Sequence, residues 1–171
     1  MPKIFKVSTQ PLDPLAFRPY GRMIAPLPGQ TPDFQGEGWR CWVSLAELDS
    51  GIHWQAGMVQ GEKRPLVMSE MERHLERPEC VFALDRAVVQ TVAFSRPDTP
   101  GVPDERALKA FVIQPGQGVM MDKGVWHGVG LPAGDESIRY LFLLGSDRFT
   151  SESENSGWVP FASEVVVQIS H

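Results

Sequence analysis

Glu72-Arg73-His74-Leu75-Glu76-Arg77-Pro78-Glu79 places a carboxylate, an imidazole and a second carboxylate at intervals that suit a strand and the turn after it. In a strand alternate side chains share a face, so Glu72 and His74 are predicted to point inward while Arg73 points out. Pro78 bends the chain and lets Glu79 rejoin them. Some fifty positions later Val125-Trp126-His127 supplies another imidazole after the turn residues Pro115-Gly116-Gln117-Gly118, a short strand and Gly124. Those glycines allow the backbone to double back and bring His127 beside the first segment. Carboxylates and imidazoles converging in this way suit a divalent metal and an oxygen-rich substrate. The plain alternative is a charged surface face for Glu72 and Glu79, beside Arg73 and Arg77, with structural histidines.

Outward from these segments the dominant signal is strand. Short β-branched and aromatic runs lie between glycine and proline punctuation at Arg40 to Leu45, His53 to Val59, Pro65 to His74, Val81 to Leu84 and Ala87 to Phe94. They continue at Ala110 to Gln114, Val125 to Gly128, Ile138 to Leu144 and Val165 to Ile169, with Ile4 to Val7 as an edge or first strand. So many short strands in one chain predict a mainly β fold, a closed barrel or jelly roll. A short helix follows the first strand: Asp13 caps it, Pro14 suits its first position, and Gly21 closes it after Leu15, Phe17 and Tyr20 have faced the core. Residues 26–38 are expected to form an exposed loop near an opening, Asp85-Arg86 a tight connection, and Pro103 to Ala107 one helical turn.

The 171 residues, 42% of them hydrophobic, fit a single domain, residues 1–171, with a sizeable core. A net charge of −5 argues against nucleic acid and anionic membrane as partners, since both call for a basic face. Two cysteines, Cys41 and Cys80, are too few for a disulfide framework and read as buried small hydrophobes in a reducing, cytoplasmic setting. Neither a signal-peptide core nor a membrane-length apolar run is present in the sequence. His53 and His171 lack motif context, and Trp126 reads as a packing residue at the barrel mouth.

The two segments resemble the paired motifs of the cupin superfamily, the first of which runs His-x-His, three or four residues, Glu, six residues, Gly. Glu72 stands at the first histidine and Arg86 at the glycine, while His74, Glu79 and His127 occupy the other ligand positions. The resemblance implies a cupin-like double-stranded β-helix, a jelly-roll barrel with a few short helices. It also implies a metal site of His74, Glu79 and His127, with Glu72 as a fourth ligand or as a base.

A narrower resemblance is to bacterial ureidoglycolate lyases, also called ureidoglycolate hydrolases, of allantoin (purine) degradation. It is carried by Leu12 to Gly21 (LDPLAFRPYG), Met71 to His74 with Phe82, Asp104 to Phe111 (DERALKAF), Gly116 to Val119 and Val125 to His127, in family order across about residues 3–145. It departs from the better-known members at Asp122 and Gly128, where they carry histidines, at Glu79, where a relative carries glutamine, and at Arg86. The family reaction cleaves ureidoglycolate to glyoxylate and urea, which requires one proton taken from oxygen and one delivered to nitrogen. By this resemblance Glu72, His74 and His127 are expected to be catalytic, with Asp122 a further proton-transfer candidate. Lys123, Arg86 and Arg139 are the candidate partners of the substrate carboxylate. The resemblance also implies a divalent metal, Ni2+ in bacterial members, with a metal-free site as the alternative, and a homodimer. A second function class stays open: a cupin without this activity that binds a small carboxylate.

Overall fold

The computed structural model describes residues 4–146 and 157–168. Its elements in chain order are β1 (Ile4–Pro11), α1 (Pro14–Phe17), a 3-10 turn (Arg18–Tyr20), β2 (Gly21–Ile24), β3 (Phe34–Gly36), β4 (Trp39–Cys41), β5 (His53–Gly61) and β6 (Val67–Met71). They continue with β7 (Glu79–Ala83), β8 (Val88–Ala93), β9 (Lys109–Ile113), β10 (Gly118–Met121), β11 (Trp126–His127), β12 (Leu131–Pro132), β13 (Ile138–Ser146) and β14 (Val159–Gln168).

One sheet runs β2-β10-β7-β13-β5, and a second runs β11-β8-β9-β1-β14-β6 with β12 also on β8. The two ends of the second path meet. Glu72, one residue past β6, exchanges both backbone hydrogen bonds with His127 of β11, at 3.0 and 2.8 Å. With that bridge the strands β6-β11-β8-β9 face β5-β13-β7-β10, the strand order of a jelly roll, and the mainly β expectation holds. The closure also removes two free edges that would otherwise offer unpaired backbone groups.

The pleat then sorts the side chains. All six residues of β8 are buried because both faces of its sheet are covered. Val88 and Val92 pack with Val81, Val119, Phe111 and Ile113 between the two sheets, whereas Val89 and Ala93 pack with Met68, Met71, Trp126 and Val165 on the other side. The outer cluster is completed by Phe5 and Val7 of β1 and by Val159 and Phe161 of β14. Strand β8 therefore reads as a continuous apolar run, interrupted only by Gln90 and Thr91, instead of an alternating one.

The capped helix forms as expected, with the Asp13 side chain accepting from the backbone N–H groups of Leu15 and Ala16. It lasts only one turn before the 3-10 segment, and that shortness turns Leu15 outward at 79% exposure while Phe17 and Tyr20 enter the core. Gly21 ends it at φ 148°, and a Cβ there would lie 1.9 Å from the Met120 carbonyl oxygen on the paired strand β10. Gly21→Ala is therefore expected to cost about 2 kcal/mol or more in urea denaturation, combining backbone strain with an overpacked contact. An unchanged unfolding midpoint would contradict this.

Other expectations need correction. Asp104 to Ala107 makes a turn, with Ala107 N–H donating to the Asp104 carbonyl, and not a helical turn, because the chain must return at once to β9. The expected strand at Arg40 to Leu45 shrinks to the short hairpin β3–β4, whose residues are mostly exposed. Ile169 and His171 lie outside the described residues. Cys80 is buried and Cys41 half-buried; both are free thiols.

Candidate metal centre

Each of the four motif residues arrives from a different local structure. Glu79 opens β7, whose inner face carries Val81 and Ala83, so its side chain enters the space between the sheets. His127 pairs with Val92, an inner-core residue, and faces the same way, whereas Trp126 pairs with Ala93 and faces the outer core. Glu72 is set opposite His127 by the backbone bridge. His74 follows two residues later, where its carbonyl accepts from Gly124 N–H at 2.7 Å. The sheet ends at Met71, so Glu72 and His74 reach the interior from the bridge and the loop after it, not from the regular strand the spacing predicts.

One ligand-capable atom from each of Glu72, His74, Glu79 and His127 lies within 4.8 Å of the others. His74 Nε2 is 3.0 Å from Glu79 Oε2, and His127 Nε2 is 3.3 Å from the same oxygen and 4.0 Å from Glu72 Oε1. The two imidazole centroids are 5.2 Å apart. His127 Nδ1 donates to the Val125 carbonyl oxygen at 3.0 Å, which leaves Nε2 as the free ring nitrogen. That nitrogen is buried with no well-formed hydrogen bond. A buried lone pair facing two carboxylates is well satisfied by a cation, and two nitrogens with two carboxylates suit a first-row divalent ion. The residues present fit such an ion.

Without a metal the cation at His127 is a proton. Burial alone would lower the imidazole pKa, but Glu79 and, more weakly, Glu72 outweigh it and raise the value above 6.5. Burial would raise Glu79, yet the two imidazoles facing it, His127 at 3.3 Å and His74 at 3.0 Å, outweigh burial and hold it down at about 2. Burial dominates at Glu72 and raises its pKa above the usual 4.5.

Linkage gives the metal-free protein a defined pH window. The Glu79 contribution is complete above its ordinary 4.5 and is lost as pH falls towards about 2. The His127 contribution is complete below 6.5 and is lost as pH rises through the raised folded value. Glu72, raised by burial, adds stability that is complete below 4.5 and is lost as pH rises through its folded value. Thermal melting with chelator should therefore peak towards the lower end of pH 4.5 to 6.5 and decline on both sides. A profile that climbs steadily from pH 6 to 9 would contradict the assignment. Metal affinity should run the opposite way and increase with pH, because the ion displaces the His127 proton.

The family model described as ureidoglycolate lyase matches residues 4–168. The chain belongs to the ureidoglycolate lyase family. Relatives named ureidoglycolate lyase include one from Chelativorans sp., 29% identical over 137 residues that cover 77% of this chain and 80% of the relative. Another, from Rhodobacter capsulatus, is 32% identical over 135 residues, covering 75% and 80%. Among solved structures, oxalate decarboxylase of Bacillus subtilis aligns over 57% of this chain and 22% of its own, with a TM-score of 0.42 and 18% identity.

In this member of the ureidoglycolate lyase family the other sequence candidates are not among the four clustered groups. Asp122 and Lys123 are exposed in the turn between β10 and β11, where Asp122 N–H donates to the Tyr20 carbonyl. Arg86 pairs with Glu136, and Arg139 pairs with Asp85, both at exposed positions. Residue 139 adjoins Tyr140, which is opposite Ala83 at the far end of β7 from Glu79, and four strand residues span about 13 Å. His53 is exposed at the start of β5.

Sequence reasoning passed over two buried polar residues next to the segments that carry this lyase-family site. Arg77 is buried and acts electrostatically on Glu72, although a charged run reads as a surface face. Gln90 is 1% exposed and shares the inward parity of Val88 and Val92, and its Nε2 donates to the carbonyls of Thr91 and Gly128 at 3.2 and 2.9 Å. A polar residue at an inward position of Val-Val-Gln-Thr-Val-Ala was the signal for it.

Proposed function

We propose that this protein cleaves ureidoglycolate to glyoxylate and urea, with Glu72, His74, Glu79 and His127 holding a divalent metal. The observation that carries the reading is the orientation of His127: Nδ1 is committed to the Val125 carbonyl, and Nε2 faces Glu79 and Glu72. A bound divalent ion neutralises the substrate carboxylate and lowers the pKa of the neighbouring hydroxyl.

The two carboxylates divide the remaining work. Glu79, at about 2, stays ionised and serves as a permanent ligand. Glu72 has its pKa pushed up and is the more exposed of the two, 23% against 14% for the side chains, which suits a group that exchanges a proton. It accepts the hydroxyl proton as the O–H electron pair becomes the second bond of the aldehyde carbonyl. The C–N bond breaks, its electron pair goes to nitrogen, and Glu72 returns the proton there to complete urea. No water enters the balance. The apolar inner core around Val81, Val92 and Val119 backs the cluster and limits water access.

Nickel as the resident ion, a cytoplasmic location and a homodimer belong to the same reading. Support for the dimer comes from β5, a nine-residue strand at the end of its sheet with Met58 at 60% exposure. Light scattering should then report twice the 19.0-kDa chain.

The deciding experiment incubates metal-loaded protein with racemic ureidoglycolate and follows glyoxylate. The expected result is release above the spontaneous rate, ceasing when one enantiomer is consumed. No release with nickel, manganese, zinc or iron would overturn the lyase reading and favour a cupin that only binds a small carboxylate.

A further inference from the structure

Between the clustered residues the chain carries side chains of opposite parity. Arg73 separates Glu72 from His74, and Trp126 immediately precedes His127. Both belong to the outer side of the sheet, and there they meet. The Arg73 guanidinium lies over the Trp126 ring, 4.4 Å from Cζ to the centroid. Arg73 Nη1 and Trp126 Nε1 each donate to the Ser95 hydroxyl oxygen at 2.9 Å. One oxygen thus joins both motifs.

Ser95 is itself held in place. It forms an isolated bridge with Pro103, and Arg96 N–H donates to the Val102 carbonyl at 2.9 Å. The Arg96 side chain is paired with Glu105, which is 2% exposed. The Trp126 indole is 2% exposed, so the orientation of its ring is set by packing and by the Ser95 bond together. On the inner side, by contrast, the first motif has left the regular sheet after Met71, and the Glu72–His74 backbone is held by the Glu72–His127 bridge and the Gly124–His74 hydrogen bond.

We propose that Ser95 is a positioning residue: through Arg73 and Trp126 it fixes the distance between the Glu72–His74 segment and His127, and thereby the geometry in which the four side chains hold a metal. This inference rests on the metal-site reading and not on the identity of the substrate. A link of fixed length on the back of two ligand-bearing segments acts like the partners that orient metal ligands elsewhere, whose loss lowers metal affinity about 10- to 100-fold. The competing account is purely structural, in which Ser95 satisfies a buried indole N–H and nothing more.

Cobalt(II) titration of the chelator-treated full chain separates the accounts, because its visible absorption bands report the ligand geometry directly. Ser95→Ala should bind Co2+ about 10- to 100-fold more weakly and with shifted bands, while Ser95→Thr, which keeps a hydroxyl, should restore both. Should Ser95→Ala fail to fold, Trp126→Phe, which removes the indole donor together with part of its buried ring, is expected to shift affinity and bands in the same direction. Wild-type affinity and bands in a folded Ser95→Ala or Trp126→Phe protein would overturn this inference alone. Failure of the wild-type chain to bind Co2+ would overturn the metal reading and this inference together.

Discussion

His127→Ala loses divalent-metal binding and glyoxylate release together, while its far-ultraviolet circular dichroism stays that of the wild type. The backbone of His127 closes the sheet through Glu72, and alanine keeps both of those hydrogen bonds. The imidazole, however, is the group whose Nδ1 is already committed and whose Nε2 faces both carboxylates. Removing an outer group that merely orients a ligand costs about 10- to 100-fold in metal affinity, so removing the ligand is expected to exceed 100-fold. Isothermal titration with Ni2+ and the glyoxylate assay measure the two effects. The metal-free variant should also lose stability relative to the wild type at pH 6 and below, where His127 is protonated against Glu79. Wild-type affinity in His127→Ala would mean that the centre lies elsewhere.

Glu72→Gln gives a different signature, a fall in kcat of about 10²- to 10⁴-fold with metal still bound. Glutamine keeps the size and an oxygen ligand of Glu72 but cannot accept the hydroxyl proton. Because glutamine cannot take up a proton at any pH, the fall in kcat should persist across the whole pH range in which the metal stays bound. The contrast is Glu79→Gln. Its carboxylate, held at about 2, is always charged in the working range, so its removal should weaken metal binding first. Equal effects of the two substitutions on metal affinity and on kcat would deny the division of labour between them.

Much of the site was legible because its residues sit on motif positions. Glu72, His74, Glu79 and His127 were singled out by spacing and by family resemblance, and the fold brings all four together. Residues chosen only for charge fared differently. Lys123, Arg86 and Arg139 read as carboxylate partners, yet Lys123 is exposed in a turn and both arginines are engaged in exposed ion pairs. A cation's position on a turn does not reveal which anion the next turn brings to it. Arg77 shows the reverse, because nothing in a run of alternating charges marks the one arginine that becomes buried.

The amino-acid sequence by itself determined the local events and the residue types. Asp13 and Pro14 start the helix, Gly116 allows the turn before β10, and β-branched runs form the strands, because each depends on the chain within a few residues. Tertiary structure alone decided the closing of the sheet at Glu72 and His127, the second core outside β8, and the Ser95 link between the motifs. Those features join residues 22 to 70 or more positions apart, and the entropy of closing such loops is repaid only by contacts that exist once both sheets have formed.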